Sequence, residues 1–321
     1  MAMSVLVTGG GGFIGSHLVD ALLQREASVR VLDNLSTGHR TNLESALAHF
    51  EGRGTLTFIE GDITDRKTVE AAVRGVEFVL HQAALPSVQR SVEAPVTSNL
   101  VNVVGTLNVL VAAQEAGVKR MVYASSSSVY GDSPQLPKTE HMPTNPLSPY
   151  AVSKLAAEAY CRVFTRVYGI ETVALRYFNV FGPRQDPTSF YAAVLPRFIE
   201  ALLCKTPPVI YGDGTQSRDF TYIDNIVQAN LLALEAAGVV GEAFNIACGE
   251  SVTLQAILQY LAEFSNQAVE PEYQAPRAGD IKHSLADISK AERMLGYRPV
   301  IPFREGLKRT FEFFRQRRAS R

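Results

Sequence analysis

Residues 4–178 alternate between short β-branched runs and longer segments whose apolar residues have helical spacing. The short runs are SVLV, SVRVLD, LTFIEGD, FVLHQAA, KRMVYAS and ETVALRYF. The helical segments are FIGSHLVDALLQREA, RKTVEAAVRG, NLVNVVGTLNVLVAAQEAG and YAVSKLAAEAYCRVFTRVYG; the last two end at Gly117 and Gly169, as C-caps would. Because parallel strands need crossover connections, this alternation predicts an α/β fold with a doubly wound parallel sheet.

The pattern changes after Phe178 into loops rich in Pro, Gly and Asp, which form binding sites more often than cores. AAVLPRFIEALL, TLQAILQYLAEF, DISKAERMLGY and FREGLKRTFEFFRQRR are predicted helices, and EAFNIACG is a predicted strand that returns to the sheet. We therefore expect a cofactor-binding domain at 1–178, with a returning segment near 221–250, and a smaller mixed α/β substrate-binding lobe at 179–220 and 251–321. With no linker between them, the two should be interleaved.

Composition favours a small-molecule partner. The 321 residues are 46% hydrophobic and carry a formal net charge of -1, without a long block of like charge, which argues against nucleic acid or a membrane surface as the partner. No leader or membrane-span pattern is evident, so a cytoplasmic location is expected. Cys161, Cys204 and Cys248 are predicted to be buried free thiols, and the scattered histidines predict no metal site.

A glycine-rich turn follows the first predicted strand. In TGGGGFIG, Gly9, Gly12 and Gly15 precede or open a helix, so backbone N–H groups can meet a pyrophosphate at the helix N-terminus. A tight turn without a ligand is the alternative. Asp33, at the end of the next strand, can accept from both ribose hydroxyls and would repel a 2′-phosphate, which favours NAD over NADP. Asp62 is predicted to meet the adenine, to cap the following helix, or to do both.

A tyrosine and a lysine lie four residues apart in SPYAVSKLAAEAY. Tyr150 and Lys154 then share one helical face, where an ammonium and a cationic nicotinamide would both favour the phenolate. Tyr150 becomes a usable proton acceptor in that setting. The alternative is a surface tyrosine beside a solvated lysine, but the upstream cofactor turn and the serine-rich strand end YASSSSVYG favour catalysis.

These motifs resemble those of the extended short-chain dehydrogenase/reductases, specifically nucleotide-sugar epimerases. The resemblance covers the whole chain, through TGGGGFIG, ASSSSVYG, YAVSK, RYFNVFGP, SRDFTYIDN and RAGD. It implies that Ser126 hydrogen-bonds the reacting sugar oxygen with Ser127 as a helper, while Ser125 and Ser128 satisfy the strand end and turn. The implied catalytic set is Ser126, Tyr150, Lys154 and Ser127.

The turn and the resemblance together predict one set of NAD-binding residues. Tyr177 and Phe178 would flank the nicotinamide, with core packing as their alternative role. The predicted cofactor-binding residues are Gly9, Gly12, Phe13, Ile14, Gly15, Asp33, Asn34, Ser36, Thr37, Gly38, Asp62, Ile63, Gln82, Ala83, Ala84, Asn99, Tyr150, Lys154 and Tyr177.

Among the family's reactions, 4-epimerisation fits best. Dehydratases of this fold carry an Asp-Glu pair where this chain has only hydroxyls, and a net reductase would more often use NADPH, which Asp33 disfavours. Reversible oxidation remains: Tyr150 takes the 4-OH proton, hydride passes from C4 to NAD, the 4-keto sugar turns, and hydride returns to its other face.

The resemblance assigns the UDP diphosphate to Asn179, Arg218, Arg277 and Asp280. Arginine forks suit a diphosphate, although for either arginine a surface salt bridge is the alternative. The predicted substrate-binding residues are Ser87, Ser126, Asn179, Gln185, Ala193, Val194, Tyr211, Arg218, Arg277, Asp280 and Ser284.

The sugar is predicted from HSLAD, where hexose-only epimerases carry a tyrosine in place of Ser284. A small residue leaves room for a 2-acetamido group, and Gln185 and Ala193 also match the bacterial UDP-N-acetylglucosamine 4-epimerases. Pro86 departs from that pattern, which has glycine there. The preferred interpretation is interconversion of UDP-N-acetylglucosamine and UDP-N-acetylgalactosamine. UDP-hexoses without the acetamido group should also be accepted, because a pocket with spare room discriminates only weakly against a smaller sugar.

Three alternatives stay open at this point. They are a UDP-glucose 4-epimerase restricted to non-acetylated sugars, a UDP-glucuronate 4-epimerase, which typically has threonine in place of Asn179, and a non-catalytic NAD-sensing regulator on the same fold. The resemblance also implies a homodimer in which the helices Asn99–Ala116 and Tyr150–Val167 form a four-helix bundle.

Overall fold

A seven-stranded parallel sheet forms the centre of the protein in a computed structural model that describes residues 2–50, 55–186, 194–275 and 282–319. The strands are β1 Ser4–Thr8, β2 Ser28–Asp33, β3 Leu56–Glu60, β4 Phe78–His81, β5 Arg120–Ser126, β6 Glu171–Tyr177, β7 Val180–Phe181, β8 Val209–Tyr211, β9 Ser217–Arg218, β10 Thr221–Tyr222, β11 Ala243–Ile246, β12 Val252–Thr253 and β13 Glu272–Gln274. The sheet order is β11-β6-β5-β4-β1-β2-β3.

The chain reverses its direction of travel across the sheet between β1 and β4, which are neighbours. In open α/β sheets a crevice forms at the carboxyl ends of the strands at such a switch point. The predicted doubly wound sheet is therefore confirmed, and EAFNIACG does return to it, because β11 pairs in parallel with β6.

Helices cover both faces of the sheet. They are α1 Phe13–Gln24, α2 Glu44–Phe50, α3 Arg66–Val73, α4 Val88–Glu93, α5 Pro95–Asn99, α6 Thr106–Glu115, α7 Pro149–Val163, α8 Val194–Leu203, α9 Ile223–Glu235, α10 Leu254–Ser265, α11 Ser289–Leu295 and α12 Phe303–Ala319. One core cluster includes residues of α1, α2 and α9, and a second includes residues of α3, α6 and α7.

Each predicted helix forms within the described residues, but four helices were not predicted from the sequence: α2, α4, α5 and α9. A π-helical segment, Leu100–Gly105, joins α5 to α6, and another, Phe164–Tyr168, extends α7. Gly117 and Gly169 follow with φ values of 71° and 78°, so both predicted C-caps are in the left-handed region that glycine tolerates.

The elements after β6 build the smaller lobe without a separate core. The first core cluster runs from β1 and β2 through α8 and α10 to Phe311 and Phe314 of α12. Because one continuous apolar cluster is buried across both the cofactor-binding part and the smaller lobe, this cluster holds the two together.

The cysteine prediction was partly wrong. Cys161 is buried, Cys248 is half-buried, and Cys204 is exposed at the end of α8. The Sγ atom of Cys204 accepts a hydrogen bond of 2.9 Å from Arg318 Nη1. The apolar residues next to Cys204 in the sequence therefore did not predict its exposure.

The expectation that no segment approaches a membrane span also needs correction. The helix Pro95–Glu115 is long and apolar enough to qualify by length and composition. Of its most apolar 18-residue window, 44% is buried inside the protein, and core helices of soluble proteins meet the same criteria. The feature is thus weak evidence for membrane insertion.

Candidate active site

The glycine-rich turn between β1 and α1 has no room for side chains. Gly9 has φ 72°, and a Cβ atom on Gly15 would lie 2.1 Å from the Gly9 carbonyl oxygen. Gly12 caps α1 without a side-chain hydrogen bond, and no acidic residue lies in the first turn. The positive end of the helix dipole is therefore available to an anion.

A cleft of about 280 Å³ opens beside this turn along the carboxyl ends of the strands. It collects most of the predicted cofactor residues: Gly9, Gly12, Phe13, Ile14, Gly15, Asp33, Asn34, Ser36, Thr37, Asp62, Ile63, Gln82, Ala83, Ala84, Tyr150, Lys154 and Tyr177. Lining residues that were not predicted are Leu32, Gly61, Leu85, Pro86, Val101, Ala124 and Ser125.

Two predicted cofactor residues do not line the cleft. Gly38 is buried behind the turn, where an added Cβ would lie 2.7 Å from the Gly11 carbonyl carbon. Asn99 is exposed at the end of α5, because the helix turns it outward. The buried Asn102 takes the inner position instead, and its Oδ1 accepts from the N–H of Leu85 at 2.7 Å.

Two carboxylates stand at the ends of neighbouring strands. Asp33 Oδ2 accepts from the N–H of Gly11 at 2.8 Å. Burial raises the pKa of this carboxyl group, and the hydrogen bond from Gly11 acts in the opposite direction but does not outweigh burial. Burial also acts to raise the pKa of Asp62, but hydrogen bonds from Thr64 and Asn34 outweigh it and lower that pKa. The helix-cap role proposed for Asp62 was wrong, since Asp65 caps α3 by accepting from Lys67.

Tyr150 and Lys154 line the cleft, whereas Ser125 rather than the predicted Ser126 lines it from the end of β5. The Ser126 side chain acts to lower the pKa of the Tyr150 phenol, and Lys154 Nζ lies 5.9 Å from the centroid of the Tyr150 ring. Lys154 Nζ donates to the Ala124 carbonyl at 2.7 Å. This contact fixes the amine against β5, beside the tyrosine.

The expected acidification of Tyr150 by Lys154 is not seen. Burial raises the pKa of Tyr150, and the hydrogen bond from Ser126 is the opposing influence. Burial also lowers the pKa of Lys154 to about 8, because the apolar surroundings disfavour its charge. Both shifts have the same physical cause and favour the neutral forms.

The four serines have different partners from those expected. Ser125 donates to Glu158 at 2.7 Å, and Ser126 rather than Ser128 caps the turn, by accepting from the Ser128 N–H at 3.2 Å. The buried Ser128 hydroxyl has no partner among the described residues. Ser127 opens the 3₁₀ segment Ser127–Tyr130 and is half-buried.

Sequence reasoning missed a buried ion pair behind the serines. Arg176 donates to Glu158 from Nε at 3.0 Å and from Nη2 at 2.5 Å. Arg176 also donates to the Tyr130 hydroxyl at 2.8 Å, which in turn donates to Asn245. Glu158 follows Lys154 by one helical turn in α7, a spacing that could have identified it. The ion pair fixes α7 against β5 and β6.

Tyr177 lies at the carboxyl end of β6 with its hydroxyl held by Asn230 and Gln82. Asn230 Nδ2 donates to the Tyr177 oxygen at 2.8 Å, and the Tyr177 hydroxyl lies 3.3 Å from Gln82 Oε1. No local signal in α9 marks Asn230 for this role. Phe178, by contrast, is 1% exposed and packs with Tyr130, which is the core-packing alternative.

A second cavity of about 490 Å³ lies in the smaller lobe. Four predicted substrate residues line it: Asn179, Val194, Tyr211 and Arg218. The other lining residues are Val180, Phe181, Leu195, Arg197, Phe198, Ala201, Pro207, Val209, Gln216, Phe220 and Leu254. Its mix of apolar walls with two arginines suits an anionic ligand with a flat apolar part.

The remaining substrate predictions lie around or outside this cavity. Ser87 caps α4, and Gln185 donates from Nε2 to the Val180 carbonyl at 3.2 Å. The backbone N–H of Ser284 donates to the Ser217 carbonyl at 3.0 Å, next to Arg218. Ala193, Arg277 and Asp280 lie outside the described residues.

The cleft fits NAD. Gly9 and Gly15 provide the cradle that a Cβ would fill, α1 presents an uncapped N-terminus to the diphosphate, and Asp33 stands beside the turn for a ribose. No cluster of metal-ligating side chains occurs in the part of the chain that the structure describes.

Comparisons with known proteins agree with this geometry. The model of the NAD dependent epimerase/dehydratase family matches residues 5–247. The UDP-glucose 4-epimerase of Mycolicibacterium smegmatis is 40% identical over 317 residues, which are 98% of this chain and 99% of that relative.

Two solved structures extend the similarity. The UDP-N-acetylglucosamine 4-epimerase from Methanobrevibacter ruminantium, in complex with UDP-N-acetylmuramic acid, is 41% identical with a TM-score of 0.93 over 99% of this chain and 100% of that one. The UDP-glucuronic acid 4-epimerase from Bacillus cereus, with UDP-glucuronic acid and NAD, is 33% identical with a TM-score of 0.90 over 98% and 99% of the two chains. On this basis, and with a cleft that fits its cofactor, the chain belongs to the NAD-dependent epimerase/dehydratase family.

Proposed function

We propose that this NAD-dependent enzyme of the isomerase class interconverts UDP-N-acetylglucosamine and UDP-N-acetylgalactosamine by epimerisation at C4. The observation that carries the proposal is that Tyr150 and Lys154 line the cofactor cleft, with the Ser126 side chain acting on the Tyr150 phenol, while Asn179 and Arg218 line a second cavity. This arrangement separates the group that handles the proton from the groups that hold a nucleotide.

The residues of the cleft can perform the proton transfer. NAD, when bound, supplies the acceptor for the hydrogen at C4. Tyr150 takes the proton of the 4-OH, and Ser126 hydrogen-bonds the same sugar oxygen. Lys154, held by the Ala124 carbonyl, keeps its charge beside the tyrosine in the active form.

Epimerisation also requires the sugar to turn while the nucleotide stays bound. Asn179 and Arg218 line the second cavity, so they can hold the diphosphate away from Tyr150. A grip at a distance from the reacting carbon leaves the sugar free to present either face.

The preference for an acetamido sugar rests on Ser284. This half-buried residue lies in the segment that pairs with Ser217 and is therefore close to Arg218. A serine leaves space for a 2-acetamido group, and the similarity to a UDP-N-acetylglucosamine 4-epimerase supports the assignment. UDP-glucose should also be accepted, because a larger pocket discriminates weakly against a smaller sugar.

Initial rates on UDP-N-acetylglucosamine, UDP-glucose and UDP-glucuronate, measured with one preparation, test the proposal. We expect the highest kcat/KM for UDP-N-acetylglucosamine. A higher value for UDP-glucuronate would contradict the choice of sugar, and no turnover of any of the three would contradict the activity itself.

Ser284→Tyr tests the pocket directly. We expect kcat/KM for UDP-N-acetylglucosamine to fall at least about tenfold more than for UDP-glucose, because the phenol ring fills the acetamide space. Lys282→Tyr, at an exposed position of the same segment, is the matched control and should change the two substrates equally. An equal loss in Ser284→Tyr would argue against this pocket.

We also propose that the enzyme is a cytoplasmic homodimer. Leu100 is 47% exposed, and Val163 and Val167 of the α7 helix and its extension are 46% and 67% exposed. These side chains lie on the two helices that the sequence predicts at the interface, and a second copy would cover them.

A further inference from the structure

A buried carboxylate in the smaller lobe joins three parts of the chain. Asp219 is fully buried and follows β9. Its Oδ1 accepts from the N–H of Cys248 at 2.9 Å, and its Oδ2 accepts from the N–H groups of Gly249 and Ala286, both at 3.1 Å. One side chain thus connects the end of β11 with the segment that carries Ser284.

The backbone of Asp219 holds Asn179 as well. The Asp219 carbonyl accepts from Asn179 Nδ2 at 2.8 Å, while the Asn179 carbonyl accepts from the N–H of Thr221 at 3.2 Å. Asn179 has φ 33°, in the left-handed region, so these two contacts stabilise a conformation that is otherwise costly.

The segment from Lys282 to Ala286 is aligned along the same residues. Ser217 N–H donates to Lys282 O and Ser284 N–H donates to Ser217 O, both at 3.0 Å. Arg218 Nη1 donates to the carbonyl of Lys282 at 3.1 Å. The bond from Ala286 to Asp219 ends this ladder, two residues beyond Ser284.

We propose that Asp219 is a positioning residue that sets the mutual placement of Arg218, Asn179 and Ser284 for the nucleotide sugar, an inference that rests on the proposed function. Its carboxylate has no access to solvent and touches none of the cleft residues itself. The carboxylate ties the segment that carries Arg218 to the end of β11 and to the segment that carries Ser284, and the backbone carbonyl of Asp219 holds Asn179.

The variant Asp219→Asn tests this role with little change in shape. An amide has one acceptor oxygen, so its NH₂ group must face at least one of the three backbone N–H donors. Burial raises the pKa of the Asp219 carboxyl group to about 7, so measurements at pH 8 compare the ionised carboxylate with the amide.

We expect the dissociation constant for UDP, measured by calorimetry, and the KM for UDP-N-acetylglucosamine to rise at least about tenfold in Asp219→Asn. The kcat should stay within about threefold, and the NAD content of the purified protein should not change, because Tyr150 and the glycine turn lie on other elements. This separation of KM from kcat and NAD content is not expected from general destabilisation.

Arg120→Met is the matched control for lost stability. Arg120 is also a buried charged residue at the amino end of β5, and its Nη1 donates to the carbonyls of Ala233, Leu234 and Ala236. It should lower the melting temperature while leaving UDP affinity within about twofold of wild type.

Hydrogen exchange on the wild-type protein covers the case in which Asp219→Asn does not fold. Addition of UDP should slow exchange in peptides containing Gly249 and Ala286 together with those containing Arg218. Protection confined to the Arg218 peptide would overturn the proposal.

Unchanged UDP affinity in Asp219→Asn would also overturn the proposal, provided that the wild-type protein binds UDP and converts its substrate. An equal loss of UDP affinity in Arg120→Met would overturn it as well. If the wild type binds no UDP, the proposed function itself fails.

Discussion

Burial dominates the chemistry of the two ionisable residues at the active site. It raises the pKa of Tyr150 and lowers that of Lys154 to about 8. The active form, with tyrosine deprotonated and lysine charged, is then a minor species of the free protein. The Ser126 side chain and the cationic ring of bound NAD are the influences that favour the phenolate.

Tyr150→Phe removes the proton acceptor but keeps the ring. We expect kcat to fall by about 10²- to 10⁴-fold, the usual contribution of a general base, with UDP-sugar binding retained. Steady-state rates and calorimetry measure the two effects. Tyr160→Phe, at an exposed position of the same helix, is the control, and a kcat within twofold of wild type in Tyr150→Phe would rule out the assignment.

Lys154→Arg separates the contribution of the lysine to the pH profile. In the wild type, the fraction with ionised Tyr150 and charged Lys154 should grow with pH up to about 8, where Lys154 loses its proton, and then level off. A guanidinium stays charged, so kcat/KM of the variant should continue to rise above pH 8, at a lower overall level. Profiles from pH 6 to 9.5 provide the measurement, and a break near pH 8 in both proteins would contradict the explanation.

At the scale of elements, the turn between β1 and α1 depends on close backbone contacts. A Cβ at Gly15 would approach the Gly9 oxygen to 2.1 Å, and the turn would have to open. Gly15→Ala should therefore lose bound NAD, measured as released dinucleotide per protein chain.

Gly117→Ala is the control for that experiment. Its Cβ would meet nothing within 4 Å, but its φ of 71° is unfavourable to alanine. It should cost about 1 kcal/mol of stability and leave the NAD content unchanged. Full NAD occupancy in Gly15→Ala would show that the turn tolerates a side chain.

The strands and helices around Tyr150 and Lys154 are joined by polar contacts between elements. The ion pair of Glu158 and Arg176 links α7 to β6, and Ser125 links the same carboxylate to β5. Buried ion pairs add little net stability but are strongly destabilising when one partner is lost. Their role here is to fix α7, and with it Tyr150 and Lys154, against the strand ends.

At the scale of the whole molecule, one continuous apolar core packs against elements that line both cavities. The cofactor cleft is built by β1 to β6, and the second cavity by elements that follow β6. Because one apolar cluster crosses both parts, the distance between the two sites is held by the core.

The proposed dimer gives a prediction at the same scale. Val163→Glu places a charge in the proposed interface and should convert the dimer to a monomer in light-scattering measurements. Val300→Glu is the control, because Val300 is 56% exposed outside these helices. A wild-type monomer, or a dimer that persists in Val163→Glu, would contradict the interface.

The sequence by itself determined the sheet, the glycine turn and the pair of Tyr150 and Lys154. These features have local signals: strand and helix periodicity, a turn that only glycine fits, and a four-residue spacing on one helix. The short helices α2 and α4 were missed because their periodic patterns are brief.

Only the tertiary structure decided which distant groups meet. It brought Asn230 to Tyr177, Arg176 to Glu158, and Asp219 to Cys248, Gly249 and Ala286. It also buried Lys154, which lowers the pKa of the lysine. In addition, it left Asn99 exposed to solvent and outside the cleft. Hydrogen bonds and burial between residues far apart in the chain have no periodic signature, so the folded protein alone establishes them.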